Sequence, residues 1–367
     1  MIVGIDGSRA FLRQRTGIEE YSYQVIKNLR QELEGHDVFL YVRKNQAVDF
    51  ELPENWIIKK IGWPRLWTQI GLAFEIFLHP IDVLFVPAHT APWIHPKKTV
   101  VTMHGLEYEM MPKAYSMWER FYMRASIKSS CRWAQKIISV SENTKRDLMR
   151  LYQVPEEKIL VVYEGYDSNF QFSIFNFQTI SNEQISNYKN YSPYFLFIGR
   201  LEGRKNILGI IETFEILKEK YGLPHKLLLA GKGGYGYDRI KIQISKSKFQ
   251  KDIVELGFVK DEEKFELIAG AEVFLFPTFY EGFGIPVLEA QSVGVPVVVS
   301  NISSLPEVAG DSALLVDPEK PEEIAESAYG LISDKTLRDD IIKKGYANVA
   351  RFSWEKCAHE IAGILTK

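Results

Sequence analysis

The chain has 367 residues, of which 25% are charged and 46% apolar, and its 45 Lys and Arg nearly balance 47 Asp and Glu. These proportions are those of soluble globular proteins, and a net charge of -2 argues against a general attraction to nucleic acid, which requires a concentrated basic surface. At about 150 residues per domain, the length predicts two domains.

The cysteines and the uncharged stretches exclude further classes of protein. Cys131 and Cys357 form no CxxC pair, so we expect neither a disulfide framework nor a zinc cluster, and we interpret both as buried thiols in a reducing compartment. The N-terminus lacks the pattern of a signal peptide. The longest uncharged stretches, 83–96 and 290–306, contain Pro and polar residues, unlike the span of about 20 apolar residues that crosses a bilayer. The sequence predicts a cytoplasmic protein without a metal centre.

Short apolar runs alternate with amphipathic segments, which is the pattern of a parallel sheet covered by helices. In the first half, the predicted strands are residues 2–6, 38–42, 83–86, 99–102 and 136–140, and the predicted helices are 18–33, 118–131 and 142–151. In the second half, the predicted strands are 194–198, 226–229, 253–259, 273–276 and 295–299, and the predicted helices are 207–220, 262–269, 286–292, 321–331 and 336–351. The pattern predicts an α/β fold with two doubly wound domains.

The segment 167–193 separates the two halves. It is rich in Asn, Ser, Gln and aromatic residues and has little periodicity, which is typical of a linker or domain boundary. We expect a Rossmann-like domain over 1–170, a linker over 171–193 and a second Rossmann-like domain over 194–351. Doubly wound domains bind ligands outside the carboxyl ends of their strands, so the loops after predicted strands are the places for functional residues.

The loop after the predicted strand 273–276 carries two acids and two glycines. Pro286 is favoured in the first turn of the helix that follows, and the backbone N–H groups from Gly282 through Phe283 and Gly284 to Ile285 are placed to bind an anion at the start of that helix. Because carboxylates repel phosphate, we expect Glu281 and Glu289 to bind sugar or ribose hydroxyls. The alternative is that Glu281 caps the helix and Glu289 is a solvated surface acid.

The loop after the predicted strand 194–198 is basic. Arg200 follows Gly199 directly, and Lys205 precedes Asn206, a favourable N-cap residue. An Arg fork and a Lys point charge beside a helix start suit a diphosphate. The alternative is a solvated basic turn.

Three weaker signals lie elsewhere. His104 follows the predicted strand 99–102, although a lone histidine is more often structural, and Gly17 opens the first helix, where its N–H can approach a phosphate. The segment from Gly231 to Gly236 matches GxGxxG, the dinucleotide fingerprint. It lies in the second βα unit of its half, and Glu255 lies inside the next apolar run, which argues against an oxidoreductase.

Taken in order, these motifs resemble the retaining glycosyltransferases of family 4. The motifs that carry the resemblance are Gly199-Arg200, Lys205-Asn206, Gly231-Lys232-Gly233, Gly257-Phe258-Val259, Glu281-Gly282-Phe283-Gly284 with Glu289, and Ser303 to Gly310. The resemblance implies the GT-B fold, with two Rossmann-like domains facing a central crevice and the C-terminal helix at 352–367 crossing back to the first domain. It also implies a nucleotide-sugar donor such as GDP-mannose or UDP-glucose, a hexose transferred with retention, and no cofactor or metal.

The resemblance assigns roles to individual residues. Arg200 and Lys205 match the pair that neutralises the donor diphosphate, and Glu281 matches the glutamate against the donor sugar. His104 matches a histidine beside the reacting sugar carbon. The implied donor-binding residues are Gly17, Gly199, Gly231, Val259, Gly282, Phe283, Gly284, Ile285 and Glu289, the last on ribose. Many relatives have a double glycine where this chain has Gly17 alone, which leaves the acceptor side of that loop open.

The acceptor, a glycan or a lipid-linked glycan, is expected on the first domain. Trp63, Trp67 and Phe74 lie in one apolar stretch. A basic helix with aromatic side chains is predicted further on, with Lys113, Arg120, Arg124, Lys128, Arg132, Lys136, Trp118, Phe121 and Tyr122. These residues suit peripheral contact with the anionic inner face of the cytoplasmic membrane, and the alternative is an ordinary amphipathic helix with a solvated basic face.

Other activities remain open at this point. A different GT-B enzyme, such as a nucleotide-sugar epimerase or a phosphorylase, has the same architecture. A non-catalytic subunit that binds nucleotide or carbohydrate is the alternative from another class of protein.

Overall fold

The computed structural model describes residues 1–166 and 188–367, and the chain divides into two units. The first unit is Met1–Gly165 together with Phe352–Lys367, and the second is Tyr166–Arg351. Of the predicted linker, residues 171–187 lie outside the described residues.

The first unit is built on a parallel sheet with the strand order β3-β2-β1-β4-β5-β6-β7. Its strands are β1 (Ile2–Asp6), β2 (Asp37–Arg43), β3 (Trp56–Ile61), β4 (Val83–Val86), β5 (Lys98–Met103), β6 (Lys136–Ser139) and β7 (Ile159–Val161). In β1, Ile5 pairs with Leu40 on one side and with Phe85 on the other. All three side chains are fully buried, as expected for a parallel sheet covered on both faces.

The described helices of the first unit flank this sheet. They are α1 (Gly17–Glu32), a π-helical segment (Trp67–Leu72) that continues into α2 (Ala73–Leu78), α3 (Glu107–Met110), α4 (Met117–Trp133) and α5 (Glu142–Tyr152). A capping box starts α4, because Ser116 Oγ accepts from the backbone N–H of Glu119 and the Glu119 carboxylate accepts from that of Ser116.

The second unit repeats the architecture with the strand order β10-β9-β8-β11-β12-β13, again all parallel. Its strands are β8 (Tyr194–Ile198), β9 (Lys226–Ala230), β10 (Ile253–Gly257), β11 (Val273–Phe276), β12 (Val297–Ser300) and β13 (Leu314–Val316). Its described helices are α6 (Ile207–Tyr221), α7 (Tyr237–Lys246), α8 (Asp261–Ala269), α9 (Ile285–Ser292), α10 (Leu305–Ala309), α11 (Pro321–Ser333) and α12 (Lys335–Val349). The central strands β8 and β11 are almost entirely buried.

The last helix, α13 (Trp354–Thr366), belongs to the first unit, as the resemblance implies. Its apolar face packs on the buried face of α1. Gly165 fits against the start of α13 so closely that a Cβ there would lie 2.3 Å from the backbone nitrogen of Trp354. The two ends of the chain are therefore part of one hydrophobic core.

The alternating pattern of strands and helices is confirmed, and the strands that it missed share a cause. The three unpredicted strands, β3, β7 and β13, all lie at sheet edges. Edge strands are short or half-exposed, so they lack the continuous apolar runs of the buried strands. Helix α7 was also missed, because it follows a glycine-rich turn.

Parts of the membrane-contact prediction are wrong at the level of single residues. Trp67 is buried rather than exposed. Lys113 and Lys136 do not lie on the basic helix, since Lys113 is in a 3-10 turn and Lys136 begins β6. Among the described helices, none combines the length and the apolar character needed to cross a bilayer.

The substitution Ile361→Ala should destabilise the first unit. Ile361 is fully buried on α13, so truncating it removes about 2–5 kcal/mol from the free energy of unfolding. All seven tryptophans lie in the first unit, so the unfolding of this unit can be followed by tryptophan fluorescence in denaturant. Ile364→Ala, at a half-buried position of the same helix, is the matched control and should cost less. Equal losses for both variants would contradict the packing of α13 described here.

Candidate functional site

The loops after β8 and β11 are joined by a buried ion pair between Lys205 and Glu281. The Lys205 ammonium donates directly to Glu281 Oε1, and both residues are only 8% exposed. Arg204 Nη1 lies 3.5 Å from the same oxygen. A carboxylate held by two cations in a buried position is therefore the centre of this site.

The ionisation of the pair follows from its surroundings. Burial raises the pKa of Glu281, but the attraction of Lys205 and Arg204 outweighs it, so that the net pKa is lowered and the carboxylate is charged. Burial lowers the pKa of Lys205, and contact with Glu281 opposes this. An ammonium has three N–H donors, so Lys205 can hold Glu281 and still donate to a second oxygen.

Local backbone geometry places Lys205. Residues Gly203–Lys205 form a 3-10 turn, and Asn206 then adopts a left-handed conformation with φ 57° before α6 begins. Asn206 is the N-cap residue of α6, as predicted, but its side chain makes no capping hydrogen bond. Its side-chain amide instead donates to Pro277 O at 3.0 Å and to Pro318 O at 2.7 Å, because the left-handed backbone turns the side chain away from the helix N–H groups. Asn206 thereby ties the β8 loop to the β11 loop.

Three further side chains fix the backbone on either side of Glu281. Arg204 Nη1 donates to Tyr280 O at 2.8 Å. Ser303 Oγ donates to Glu281 O at 2.7 Å and accepts from the Glu281 N–H at 3.0 Å. Ser304 Oγ lies 2.6 Å from Phe283 O, to which it donates. The two serines belong to the motif at 303–310. Their hydrogen bonds to the backbone of the Glu281 loop give these two positions of the motif a structural role.

The start of α9 requires glycine at position 284. Gly284 is the N-cap residue of α9 with φ 121°, and a Cβ there would lie 2.7 Å from Leu305 Cδ2. Ile285 and Pro286 form the first helical positions, whereas Phe283 is buried and Gly282 is half-buried. The predicted loop-to-helix junction is thus present.

Glu289 lies on α9 and is buried. Its Oε1 accepts from Lys264 Nζ of α8 at 2.5 Å. The surface-acid alternative for Glu289 is wrong. Lys264 is a site residue that the sequence did not single out, because one lysine on an amphipathic helix carries no signal.

The glycines after β8 and β9 are required by a close backbone approach. A Cβ on Gly231 would lie 1.8 Å from Gly199 O, and both residues have positive φ, 147° and 152°. The Gly231 N–H donates to Gly257 O at 2.7 Å, so three strand ends are held together. Val259 follows β10 and packs half-buried against the core.

Arg200 differs from Lys205 in its surroundings. It is exposed, and within the described part of the chain it forms no hydrogen bond or ion pair. Its stem runs beside Gly234, where a Cβ would lie 2.7 Å from Arg200 Cδ. An exposed guanidinium with no hydrogen bond or ion pair in the described part of the chain is available to an anionic ligand.

The two remaining predicted site residues lie in the first unit. His104 follows β5, with Nε2 donating to Pro87 O at 2.8 Å and Nδ1 lying 3.2 Å from Glu164 Oε1. The Tyr21 ring meets the His104 ring edge-on, with 4.5 Å between centroids. Gly17 is the first residue of α1 and has φ 26°. His104 is therefore held in one orientation from three sides.

The second unit thus gathers most of the predicted residues at one edge of its sheet. The loops after β8, β9, β10 and β11 supply fixed cations, fixed carboxylates and a helix start, which together can bind an anion and hydroxyl groups. Among the described residues, no group of three or more His, Cys, Asp and Glu side chains is arranged to hold a metal ion.

Comparisons with known proteins agree with this architecture. A family model described as Glycosyltransferase Family 4 matches residues 15–170, and one described as Glycosyl transferases group 1 matches residues 179–348. The O-antigen chain mannosyltransferase B of Escherichia coli is 32% identical over 71% of this chain and 68% of its own length. The O-antigen chain mannosyltransferase RfbU of Salmonella typhimurium is 24% identical over 76% of this chain and 72% of its own.

Solved structures match over the whole chain at low identity. WaaG, a glycosyltransferase involved in lipopolysaccharide biosynthesis, has a TM-score of 0.74 at 16% identity, with full coverage of both chains. HepE of Anabaena, in complex with UDP and glucose, has a TM-score of 0.72 at 17% identity, covering 100% of this chain and 99% of its own. With both sheets, both family models and a relative above 30% identity in agreement, the chain belongs to the glycosyltransferases of family 4 and has the GT-B fold.

Proposed function

We propose that this glycosyltransferase moves a hexose, mannose-like or glucose-like, from a nucleotide-diphosphate sugar to a glycan or lipid-linked acceptor in polysaccharide assembly. The observation that carries the proposal is the buried Lys205–Glu281 pair at the carboxyl edge of the second sheet. In this proposal, Lys205 is the cation for the diphosphate, and the ionised carboxylate of Glu281 accepts from sugar hydroxyls.

The chemistry of the leaving group supports the role of the cations. Breaking a sugar–diphosphate bond leaves growing negative charge on the diphosphate, and preorganised donors stabilise that charge in the transition state. Lys205 is held in place by Glu281, and Arg200 is an exposed guanidinium in the same loop after β8. The N–H groups at the start of α9 add the positive end of a helix. In our proposal these groups replace a metal ion.

The glutamates support a mechanism in which the anomeric configuration is retained by front-face attack. Glu281 contacts Lys205 and Arg204, and Glu289 contacts Lys264. Carboxylates engaged in this way are suited to accept hydrogen bonds from hydroxyls and are poor covalent nucleophiles. We therefore assign the deprotonation of the acceptor hydroxyl to an oxygen of the donor phosphate. His104 would lie beside the reacting carbon.

The relatives guide the choice of donor. Two of them carry the name O-antigen chain mannosyltransferase, and one solved neighbour holds UDP and glucose. We propose GDP-mannose first and UDP-glucose second. An epimerase would convert the donor without an acceptor, a phosphorylase of the pyridoxal-phosphate type would show the absorbance of its cofactor, and a binding subunit would leave the donor intact.

One nucleoside diphosphate should stabilise the second unit selectively. At 100 times its dissociation constant, a ligand raises the free energy of unfolding by about 2.7 kcal/mol. Circular dichroism melts with GDP, UDP and dTDP should show one clear upward shift. Arg200→Ala should reduce that shift without lowering the melting point of the free protein, because Arg200 is exposed and forms no hydrogen bond or ion pair within the described residues. Lys343→Ala, at an exposed position of α12, is the control. If none of the three nucleotides raises the melting point, the donor assignment is contradicted.

The same variant should lower the rate of transfer. Removing one preorganised donor from a developing negative charge costs about 10²–10³ in rate, so Arg200→Ala should lose that factor while Lys343→Ala keeps the parental rate. The product formed from an α-linked donor should show an α-anomeric proton signal by NMR. A β-linked product would exclude retention, and a trapped sugar–enzyme adduct would exclude front-face attack.

We further propose that α4 contacts an anionic membrane surface. Trp118 is 80% exposed and Phe121 66%, and Met117 and Tyr122 beside them are also exposed. We call Met117, Trp118, Phe121 and Tyr122 the aromatic patch. Exposed cations follow it along the same helix at Arg124, Lys128 and Arg132. Large apolar side chains next to a basic stripe fit the interface of an anionic bilayer.

Liposome flotation tests this contact. The protein should float with vesicles that contain phosphatidylglycerol at low salt and be released at high salt, because the attraction is screened. Neutralising Lys128 and Arg132 to Gln should weaken binding roughly 30-fold, from about fivefold for each charge near the surface. The control neutralises Lys241 and Lys343, exposed lysines of the second unit, and should float like the parent. Equal flotation of both double variants would contradict a role for α4.

A further inference from the structure

The second unit contains a second lysine–glutamate pair, formed by Lys264 of α8 and Glu289 of α9. Lys264 Nζ donates to Glu289 Oε1 at 2.5 Å, and the two side chains are 20% and 8% exposed. The pair joins two helices that pack against each other. A buried carboxylate is costly without a counterion, and Lys264 is the one cation paired with Glu289 among the described residues. The charge of Glu289 inside the fold therefore depends on Lys264.

The pair leaves most of the carboxylate of Glu289 free. Lys264 contacts Oε1, whereas Oε2 has no hydrogen-bond partner among the described residues and is not fully enclosed. A carboxylate has roughly four lone-pair sites, of which the lysine occupies one. An ionised carboxylate that is fixed at one oxygen and open at the other can accept hydrogen bonds from ligand hydroxyls.

The lysine also makes this acid compatible with a diphosphate nearby. A carboxylate without a counterion repels phosphate, but the charge of Lys264 cancels that of Glu289. The arrangement is the same at Glu281, which is paired with Lys205. In addition, α8 follows directly on the loop after β10 that carries Val259, a position that the family resemblance assigns to donor binding. Each of the two glutamates therefore has a lysine from a neighbouring element of the second unit.

We propose that Lys264 is a positioning residue that makes the site selective for ribonucleotides over deoxyribonucleotides. The proposal rests on the proposed function, in which Glu289 binds the ribose of the donor. The Lys264 ammonium holds Oε1 without contacting the ligand, and the remaining lone pairs of the carboxylate accept from the ribose hydroxyls. Without the lysine, a buried carboxylate turns toward water or becomes neutral, and the charged hydrogen bond to ribose is lost.

Calorimetric titration of the whole chain tests this role. GDP and UDP are each compared with their 2′-deoxy and 3′-deoxy analogues, and the ratio of dissociation constants is the ribose discrimination. Because hydrogen bonds to charged groups are strong, the parent should bind GDP or UDP about tenfold or more tightly than a deoxy analogue. In Lys264→Met, which keeps a similar side-chain length without the charge, the ratio should fall below about threefold. Lys343→Met, at an exposed position of α12, should keep the parental ratio.

Three further variants separate positioning from direct contact. Lys264→Arg keeps a cationic donor for Glu289 Oε1 and should retain most of the discrimination. Glu289→Gln should lower the ratio, and adding Lys264→Met to it should lower the ratio no further, because the lysine acts only through the carboxylate. This double variant buries no unpaired charge, so it provides the test even where Lys264→Met alone does not fold.

Transfer kinetics give an independent readout. A ribose contact is made equally in the ground state and the transition state, so Lys264→Met should raise KM for the nucleotide sugar and change kcat little. A fall in kcat at unchanged KM would contradict the positioning role.

The other outcomes distinguish this proposal from the proposed function. An unchanged ratio in Lys264→Met, an equal loss of affinity for ribose and deoxyribose forms, or additive losses in the double variant would each overturn the role of Lys264 alone. Tighter binding of dTDP than of GDP and UDP would do the same, because dTDP lacks the 2′-hydroxyl. The expected ratios in a protein that transfers no sugar would contradict the proposed function alone. Binding of none of these nucleotides would contradict both.

Discussion

The arrangement of the second unit depends on the buried contact between Lys205 and Glu281. A buried ion pair is stable only when both charges are present and their other hydrogen-bonding groups are satisfied. Here the condition is met by Arg204, which contacts the same carboxylate, and by Ser303, which holds the backbone of Glu281. The pair thus requires the loops after β8, β11 and β12 to have one relative position. Removing one partner would leave a buried charge without its counterion. The geometry of these loops and the stability of this edge of the sheet therefore depend on the same contact.

Around this pair, the backbones at the strand ends approach each other so closely that a side chain does not fit between them. Gly231 touches Gly199 O, and its N–H reaches Gly257 O. The GxGxxG match is explained by this contact without a dinucleotide, because a glycine is needed wherever two backbones meet at this distance. The glycines at this contact are needed for backbone packing, and the GxGxxG match is not evidence for dinucleotide binding.

The sequence predicts those parts of the protein in which a local residue pattern has a single structural cause. Buried parallel strands such as β8 and β11 are continuous apolar runs, and a Gly-containing loop before Pro286 indicates the start of a helix. Properties that depend on partners from elsewhere in the chain could not be predicted. Lys264 becomes a site residue only because α8 packs against α9. Asn206 is at the N-cap position of α6, but its backbone is left-handed and its side chain bonds two loops instead of the helix N–H groups. Gln69 Oε1 and His89 Nδ1 are buried without a hydrogen-bond partner among the described residues. They carry no local signal, since an unpartnered polar atom is a property of the folded surroundings.

The two units differ in how their buried polar groups are satisfied. In the second unit, the buried charges Lys205, Glu281 and Glu289 are all paired within the protein. A charged donor can exchange such contacts without leaving an uncompensated ion. In the described part of the first unit, the unpaired groups Gln69 Oε1 and His89 Nδ1 are neutral. A neutral group left unpaired costs far less than an unpaired charge, so the fold of the first unit tolerates these two atoms. Buried charges in this fold therefore have to be paired within the protein before a ligand binds, whereas buried neutral groups do not.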